Sequence, residues 1–297
     1  MLRYYPMLIS REELSFDFKK ASFDTSLEFD RKFLAWVFDQ FLYGEVTGIQ
    51  CGHWLYHAPH LHGATFLCKQ ATEEIAHVRK ILRIFSLLGE KPNSSHPAIR
   101  FLSTGMMGGT WGEHVTLEMA LGEGLVLTAF YALADTINHP EIHRIIESTA
   151  KDEERHVAFG ENETLTWLKD HPGDRKLLLG LALFQVLAMK RLKSFIGKKL
   201  SGPEYAGHPV LSQFPQFYDH TLNEFEKRIE RLGLYQGSLQ KMSLGNKIKI
   251  LAALPFRIAR NKLKRPQKLL TTTYLQDPMV LLESQKALPN QAPQESL

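Results

Sequence analysis

The chain has 297 residues, of which 44 % are hydrophobic and 23 % are charged, and its formal net charge at pH 7 is +4. This length and composition suit one large buried core, which excludes a small scaffold held together by disulfides. The two cysteines, Cys51 and Cys68, form no Cys-x-x-Cys motif, so a zinc ribbon is not indicated either. The start of the chain lacks the continuous apolar region of a signal peptide. The longest apolar run, 177–189, is too short to span a membrane, so we expect a cytoplasmic protein.

Helical periodicity predicts an all-α protein built on a four-helix bundle. Residues 1–24 are predicted to form an irregular arm, and the capping-box pattern Thr25–Glu28 is predicted to open the first helix, which runs toward His57. The other predicted helices of the bundle run from about His60 to Gly89, from Thr110 to Ile137 and from Pro140 to Asp170. The predicted bundle domain therefore covers residues 25–172.

Three further regions are predicted beyond the bundle. Residues 173–236 are predicted to form additional helices that pack on it, at Arg175–Lys199 and Val210–Leu232. Residues 237–275 form a basic amphipathic segment, since nine basic and no acidic residues lie between positions 238 and 276. The last stretch, 276–297, is rich in Pro, Gln and Ser and is predicted to be disordered.

The motif Glu-x-x-His occurs twice in similar surroundings. Glu74 and His77 form the first copy, and Glu153 and His156 form the second. Residues three apart on a helix lie on one face, so each pair can bind one metal ion. Such a short motif arises easily by chance, and its repetition is therefore the informative observation.

A lone glutamate precedes each copy of the motif at nearly the same distance. Each of these glutamates directly follows a glycine within an apolar run. The distance is about thirty residues, and a predicted turn falls near its midpoint, so two antiparallel helices would bring the glutamate to the height of the motif. Two such hairpins would bring together Glu45, Glu74, His77, Glu123, Glu153 and His156. Four carboxylates and two imidazoles suit two iron or manganese ions.

This pattern, over roughly residues 25–170, resembles the signature of the ferritin-like di-iron carboxylate superfamily. That group includes rubrerythrin, the small subunit of class I ribonucleotide reductase and several di-iron oxygenases. The resemblance implies a ferritin-like four-helix bundle with additional C-terminal helices and a cofactor of two Fe ions, or of Fe and Mn. It implies bridging roles for Glu74 and Glu153, terminal roles for Glu45 and Glu123, and one metal each for His77 and His156.

The resemblance also implies an oxidoreductase that activates O2 to oxidise or oxygenate a small organic substrate, with a reductase or ferredoxin as external electron donor. Ile81 stands where the radical-forming reductase subunit has a tyrosine, and Thr149 stands where arylamine oxygenases have an additional histidine. The cysteine pairs of a rubredoxin domain are missing as well. A hydrophobic or lipid-like substrate is one expectation within this function. The alternatives are an iron-handling or peroxide-reducing protein and a non-catalytic metal-binding scaffold.

Residues next to the ligands are predicted to orient them. A metal-bound imidazole usually donates its second N–H to a carboxylate. Asp152 is predicted to accept this hydrogen bond from His77. Glu73, its counterpart in the repeat, either accepts the same bond from His156 or lies on a solvated helix face. Glu154 and Arg155 are predicted to face solvent.

Two other features leave alternatives open. Histidines collect at both predicted hairpin turns, which we expect at the same end of the bundle, and they indicate either a second metal site or polar helix ends. These histidines are His53, His57, His60, His62, His139 and His143. The glycines Gly44, Gly48 and Gly52 recur every four residues. This spacing indicates either close packing of helices or space that admits substrate or dioxygen.

The basic stretch 241–268 has two interpretations. It alternates basic and aliphatic residues, which favours reversible binding at an anionic membrane surface, on the inner face for a cytoplasmic protein. It could equally pack its apolar face on the bundle, and Pro255 interrupts any single long helix. Nucleic-acid binding is disfavoured because no aromatic residues interleave with the basic ones. A homodimer is left open.

Overall fold

A computed structural model of the protein describes residues 5–105, 108–200, 202–235, 239–252, 254–255, 259 and 269–286. Regular structure in these ranges is helical, and the β pairing within them is one isolated bridge between Phe23 and Ile137. The prediction of an all-α protein is therefore confirmed for the described part of the chain.

Four long helices form the centre of the fold: α1 Glu28–Gly48, α2 Leu61–Leu88, α3 Trp111–Thr136 and α4 Pro140–Asp170. Three more helices follow: α5 Arg175–Lys199, α6 Phe214–Arg231 and α7 Leu244–Leu251. Shorter α-helical pieces lie at Arg11–Leu14, Pro97–Arg100, Pro203–Ala206, Leu269–Thr273 and Pro278–Lys286. The 3₁₀ helix Ile49–His57 joins α1 to α2, and α3 is π-helical over His114–Glu123. Further single turns are Phe101–Gly105, Pro172–Asp174, Leu211–Gln213, Leu239–Lys241 and Tyr274–Gln276.

The four central helices pack around a shared apolar core. The helices α1 and α2 form one antiparallel pair, and α3 and α4 form the other. The rings of Phe41 on α1 and Phe130 on α3 lie 4.6 Å apart, which joins the two pairs on one side. On the other side, the Nε2 of His77 on α2 lies 3.1 Å from an oxygen of Asp152 on α4. The inward face of each helix thus meets two neighbours, as the apolar stripes of a bundle require.

The two hairpin turns lie at opposite ends of the bundle, so the expectation that they share one end is wrong. The helices α2 and α4 run antiparallel, because His60 contacts Glu163 at one end and Arg83 contacts Glu141 at the other. The first turn therefore neighbours the last turns of α4, while the second turn neighbours the end of α2. The reason is the long α2–α3 connection, which returns the chain along the bundle before α3 begins.

The N-terminal arm is more ordered than an irregular arm would be. Ser10 and Glu13 form a capping box at the short helix Arg11–Leu14, whose Leu14 is buried in the main core. The capping box predicted at Thr25–Glu28 does not form, because α1 begins after Leu27 without a side-chain cap. A hydrogen bond of 2.6 Å from the Asp24 amide to Asp30 fixes that turn instead.

The C-terminal helices α5 and α6 pack against α3 and build a second apolar core there. A buried ion pair of 2.9 Å joins Arg228 of α6 to Glu161 of α4, and the second oxygen of Glu161 accepts the Leu8 amide of the arm. A side chain at Gly124 of α3 would overlap the Arg228 guanidinium, so glycine is required for this close approach. The domain limits predicted at residues 172 and 236 stay predictions.

One helix in the described part of the chain, Trp111–Thr136, is long and apolar enough to cross a membrane by length and composition. Its apolar window is 67 % buried inside the fold, as expected for the central helix of a folded domain. A search for uninterrupted apolar runs misses it because Glu113, Glu118 and Glu123 interrupt the sequence.

The region 237–275 is described in part. The helix α7 packs on α5, and Ile250 and Leu254 lie beside Gly180. This contact agrees with the packing interpretation for the first half of the basic stretch. Positions 237–238, 253, 256–258 and 260–268 lie outside the described residues.

The predicted disorder from residue 276 is wrong for the first part of that stretch. The helix Pro278–Lys286 packs against α2 and buries Val280 in the main core. Pro278 at its first turn and a run of apolar residues favour it, and the composition of the whole tail hid this local signal. Residues 287–297 lie outside the described residues.

Candidate metal centre

The six predicted ligands lie together near the middle of the four central helices. Glu45 comes from α1, Glu74 and His77 from α2, Glu123 from α3, and Glu153 and His156 from α4. Five of them are buried, and Glu123 is half-buried. The helical i, i+3 spacing presents each Glu and His of the repeated motif on one face, and antiparallel pairing adds the lone glutamate at the same height.

The side chains form two groups whose candidate ligand atoms lie within 4.8 Å of one another. One group is Glu45, Glu74, His77 and Glu153, and the other is Glu74, Glu123, Glu153 and His156. Glu74 and Glu153 belong to both groups. We call Glu45 with His77 the first half-site and Glu123 with His156 the second half-site.

The two shared carboxylates each extend one oxygen toward either half-site. In Glu153, one oxygen lies 3.1 Å from Nδ1 of His77 and the other lies 3.4 Å from Nδ1 of His156. In Glu74, the corresponding distances are 3.9 Å to His77 and 3.4 Å to His156. Both imidazoles therefore present Nδ1 to the carboxylates, the arrangement that a ligand to a central cation needs.

Burial and mutual repulsion shift the pKa values of the carboxylates in this cluster. Burial raises the pKa of Glu74 well above its usual range, and the charges of Glu153 and Glu45 add to the effect. Burial raises the pKa of Glu123 to about 8, against the nearby charge of His156. Glu153 differs: burial works against its charge, but both histidines lower its pKa to about 2. Several carboxylates that share a dry interior repel one another, and a cation between them would relieve that repulsion.

The pKa values of both imidazoles are raised, because the surrounding carboxylates favour the charged form. Burial disfavours their charge, but the carboxylates around His156 raise its pKa to about 10, and those around His77 raise its pKa even further above the usual range. Three buried polar atoms of the cluster find no hydrogen-bond partner: Nδ1 of His156, Oε2 of Glu123 and Oε1 of Gln70. Buried polar atoms without partners are costly, and hard oxygen and imidazole donors suit a divalent transition metal, so the residues present fit a metal centre.

The outer nitrogens of both imidazoles contact carboxylates, as predicted for His77 and left open for His156. Nε2 of His77 lies 3.1 Å from Asp152, and Nε2 of His156 lies 2.9 Å from Glu73. This contact fixes the tautomer that keeps Nδ1 free for a ligand bond. Lysines support each carboxylate from outside, with Lys80 3.2 Å from Asp152 and Lys69 3.3 Å from Glu73.

The prediction that Arg155 faces solvent is wrong. Its guanidinium donates to Glu73 at 2.7 Å and also to Asp152, so it joins the two carboxylates that hold the imidazoles. Glu154 is likewise engaged, because it accepts a hydrogen bond of 2.8 Å from the buried Tyr131 hydroxyl. The sequence signal for Arg155 is its position three residues after Asp152, which places both side chains on one helix face.

Sequence reasoning also missed Gln70. This buried side chain donates a hydrogen bond of 2.8 Å to Oε1 of Glu123. It lies one turn before Glu74 on the inward face of α2, where a polar residue interrupts the apolar stripe. That interruption is the signal that could have identified it.

The helix that carries Glu123 is π-helical up to that residue, which the sequence analysis did not predict. A π-helix closes hydrogen bonds between residues five apart, so it rotates the residues that follow relative to a regular α-helix. The direction of Glu123 therefore depends on this segment. Gly160 of α4 allows the segment to pack closely, since a side chain there would lie 2.6 Å from Met119.

The three glycines of α1 and its extension differ in their surroundings. A side chain on Gly48 would overlap the carboxylate of Glu74, so glycine is required beside this shared residue. At Gly44 and Gly52, an added Cβ would meet nothing within 4 Å. Close packing therefore explains Gly48 and not the other two.

The histidines at the turns do not form another metal-binding group among the described residues, where both detected groups belong to the central cluster. His60 contacts Glu163 at 3.2 Å at the first turn. At the opposite end, His139 caps α4 through Ile142, and His143 contacts the carbonyl of Ala134. Since the two sets lie at different ends, they cannot act as one site.

The comparisons with known proteins place the chain in no family. It matches no family model, no curated protein and no solved structure. The resemblance to the ferritin-like superfamily therefore depends on the ligand pattern and on its geometry.

Proposed function

We propose that this protein is a di-metal carboxylate oxidoreductase of the ferritin-like type, which uses O2 to oxidise or oxygenate an organic substrate. The observation that carries the proposal is the pair of four-residue groups that share Glu74 and Glu153. Two groups with two shared carboxylates support two ions held side by side, with Fe in both positions or Fe and Mn.

The residues around the cluster would bind and orient this pair of ions. Glu45 with His77 and Glu123 with His156 would each hold one ion, while the carboxylates of Glu74 and Glu153 reach both. When bound, a pair of ferrous ions supplies electrons that reduce dioxygen. Asp152 and Glu73 would keep Nδ1 of each imidazole available, and Arg155 would hold these two carboxylates in place.

Two stacked aromatic rings lie beside the cluster on the side of the first turn. The rings of Phe66 and Phe159 stack at 3.8 Å, and Phe66 lies 6.0 Å from the His156 ring. This aromatic layer separates the cluster from the polar contact of His60 with Glu163. A dry surrounding strengthens the electrostatic interactions of the ligands and protects reactive species from side reactions.

The surroundings of Gly44 on α1 leave room for a larger side chain. Gly44 lies one turn before Gly48, which adjoins Glu74, and no atom lies within 4 Å of a Cβ placed there. We assign the substrate to this side of α1. A Gly44→Leu variant should retain its metal and lose substrate-dependent O2 consumption, whereas an effect on metal content would contradict the assignment.

The decisive experiment is elemental analysis of the purified protein, followed by measurement of O2 consumption with added reductant. The proposal expects about two Fe, or Fe and Mn, per chain, and O2 uptake that depends on the bound metal. Loading far beyond this amount would indicate iron storage instead. Full metal content without O2 or peroxide consumption would indicate a non-catalytic scaffold.

A further inference from the structure

The outer surface of α7 and the neighbouring stripe of α5 expose aliphatic and basic side chains together. Leu244 and Ile248 lie on adjacent turns of α7 and are 73 % and 57 % exposed. Lys241 and Lys249 are exposed beside them. A helix that only packs on a bundle would bury its large aliphatic residues and leave the polar ones in water.

The inner side of α7 already has its packing partner. Side-chain carbons of Ile250 and Leu254 would lie 3.2 Å from a Cβ atom added to Gly180 of α5, so they pack closely on that glycine. Met242 is buried in the same apolar core. The exposed leucine and isoleucine are therefore additional to the residues that hold α7 in place. Ser243 caps the helix through the Asn246 amide, which fixes its start.

The stripe of α5 that begins at Gly180 continues past the contact with α7. Residues at i+7 and i+11 from Gly180 lie on the same helix face, and these are Leu187 and Arg191. Leu187 is 49 % exposed, and Arg191 is exposed as well. Arg191 forms no ion pair within the described part of the chain, whereas its neighbour Lys190 is paired with Glu226. The stripe therefore exposes one aliphatic and one cationic side chain on the helix against which α7 packs.

We propose that this basic–apolar face, formed by Leu187, Arg191, Lys241, Leu244, Ile248 and Lys249, docks the protein on an anionic phospholipid bilayer. Charge complementarity identifies the occupant, because the face carries three cationic side chains and the described residues 239–252 and 254–255 include no acidic residue. Basic side chains are attracted to anionic headgroups, and exposed aliphatic side chains gain by entering the boundary of the acyl chains.

Other occupants of the face fit less well. A second copy of the chain would bring two strongly basic surfaces together, and the basic residues 260–268 of this chain would meet like charges. A nucleic acid would satisfy the lysines but offers little to Leu244 and Ile248, and α7 has no aromatic residue for stacking on bases. The proposal does not depend on the metal centre.

Cosedimentation of the full-length protein with vesicles tests the proposal. We expect binding to vesicles of phosphatidylglycerol and phosphatidylcholine at low salt, weaker binding at high salt, and no binding to phosphatidylcholine alone. The double variant Leu244→Gln/Ile248→Gln should reduce binding roughly tenfold, since it removes the aliphatic contribution. The double variant Lys241→Gln/Lys249→Gln should also reduce binding and make it less sensitive to salt.

The first turn offers a matched control. Tyr56 and Leu61 are exposed at 99 % and 85 %, but they lie outside the basic–apolar face. A Tyr56→Ser/Leu61→Gln variant should bind vesicles as the unaltered protein does. Circular dichroism confirms that each variant is folded, which is expected because all substituted residues are exposed.

Several outcomes would overturn the proposal. The first is an unaltered protein that stays in the supernatant with anionic vesicles at low salt. The second is a control variant that loses as much binding as the variants of α7. A third is binding of single-stranded RNA, measured by fluorescence anisotropy, together with no binding to vesicles, which would assign the face to a nucleic acid.

Discussion

The two half-sites come from matching sequence motifs but differ in how their side chains are held. In the first half-site, Glu45 is buried and lies 3.1 Å from Nδ1 of His77. In the second, Glu123 is half-buried and accepts a hydrogen bond from Gln70. Its other oxygen and Nδ1 of His156 form no hydrogen bond. The difference shows that a sequence repeat fixes the types of ligand and not their geometry. We expect the second half-site to bind metal first, because there a cation satisfies buried atoms that form no hydrogen bond.

The shared carboxylates offer the largest test of this comparison. Glu74→Ala or Glu153→Ala should remove metal from both half-sites, because each carboxylate reaches both imidazoles. Glu45→Ala or Glu123→Ala should remove metal from one half-site only. Elemental analysis of purified variants measures the effect, with Glu154→Gln as a control on the same helix. Full metal content in both shared-residue variants would contradict the assignment of the site.

The carboxylates behind the imidazoles should separate the two half-sites. Asp152→Asn should weaken metal binding at the first half-site, and Glu73→Gln at the second, by roughly 10- to 100-fold each. Arg155→Gln should weaken both, because its guanidinium contacts both carboxylates. Titration of the metal-free protein with Co²⁺, followed by absorbance, resolves the two steps. An Arg155→Gln variant with unchanged affinity at both would show that this bridge has no role in metal binding.

Crowding of a shared ligand should affect both half-sites equally. Gly48→Ala should displace the Glu74 carboxylate and weaken both binding steps by about tenfold, a typical consequence of overpacking. Gly44→Ala is the matched control, since its Cβ meets nothing within 4 Å. That variant should keep its metal affinity and unfold at a slightly higher temperature, because alanine favours the helix. Equal effects of the two substitutions on Co²⁺ affinity would disprove the steric explanation.

The smallest expected effect is confined to the second half-site. Gln70→Leu removes the hydrogen bond that holds Glu123, and one such bond contributes about 1 kcal/mol, or about fivefold in affinity. The first half-site should be unaffected, because Gln70 donates no hydrogen bond to Glu45 or His77 in the described contacts. The Co²⁺ titration measures both binding steps. A change of affinity in the first half-site alone would contradict the assignment of Gln70 to the second half-site.

The ligands could be predicted from sequence because their positions depend on local periodicity. The spacing between Glu74 and His77 fixes a shared helix face, and the distance back to Glu45 requires only one antiparallel turn. The contacts that depend on packing between distant segments could not be predicted in the same way. The bridge from Arg155 to Glu73 and the turns at opposite ends follow from how the two hairpins associate. The π-helical approach to Glu123 depends on the close packing of Gly160 against α3.

The buried pair of Glu161 and Arg228 bears on the order in which the chain matures during synthesis. Glu161 lies on a bundle helix, whereas Arg228 is made much later, after α5 and most of α6. A nascent chain that ends before Arg228 lacks both the countercharge of Glu161 and the helix that covers this carboxylate, so the ion pair and the second apolar core cannot yet form. The four central helices therefore gain their full set of contacts only when α6 has left the ribosome.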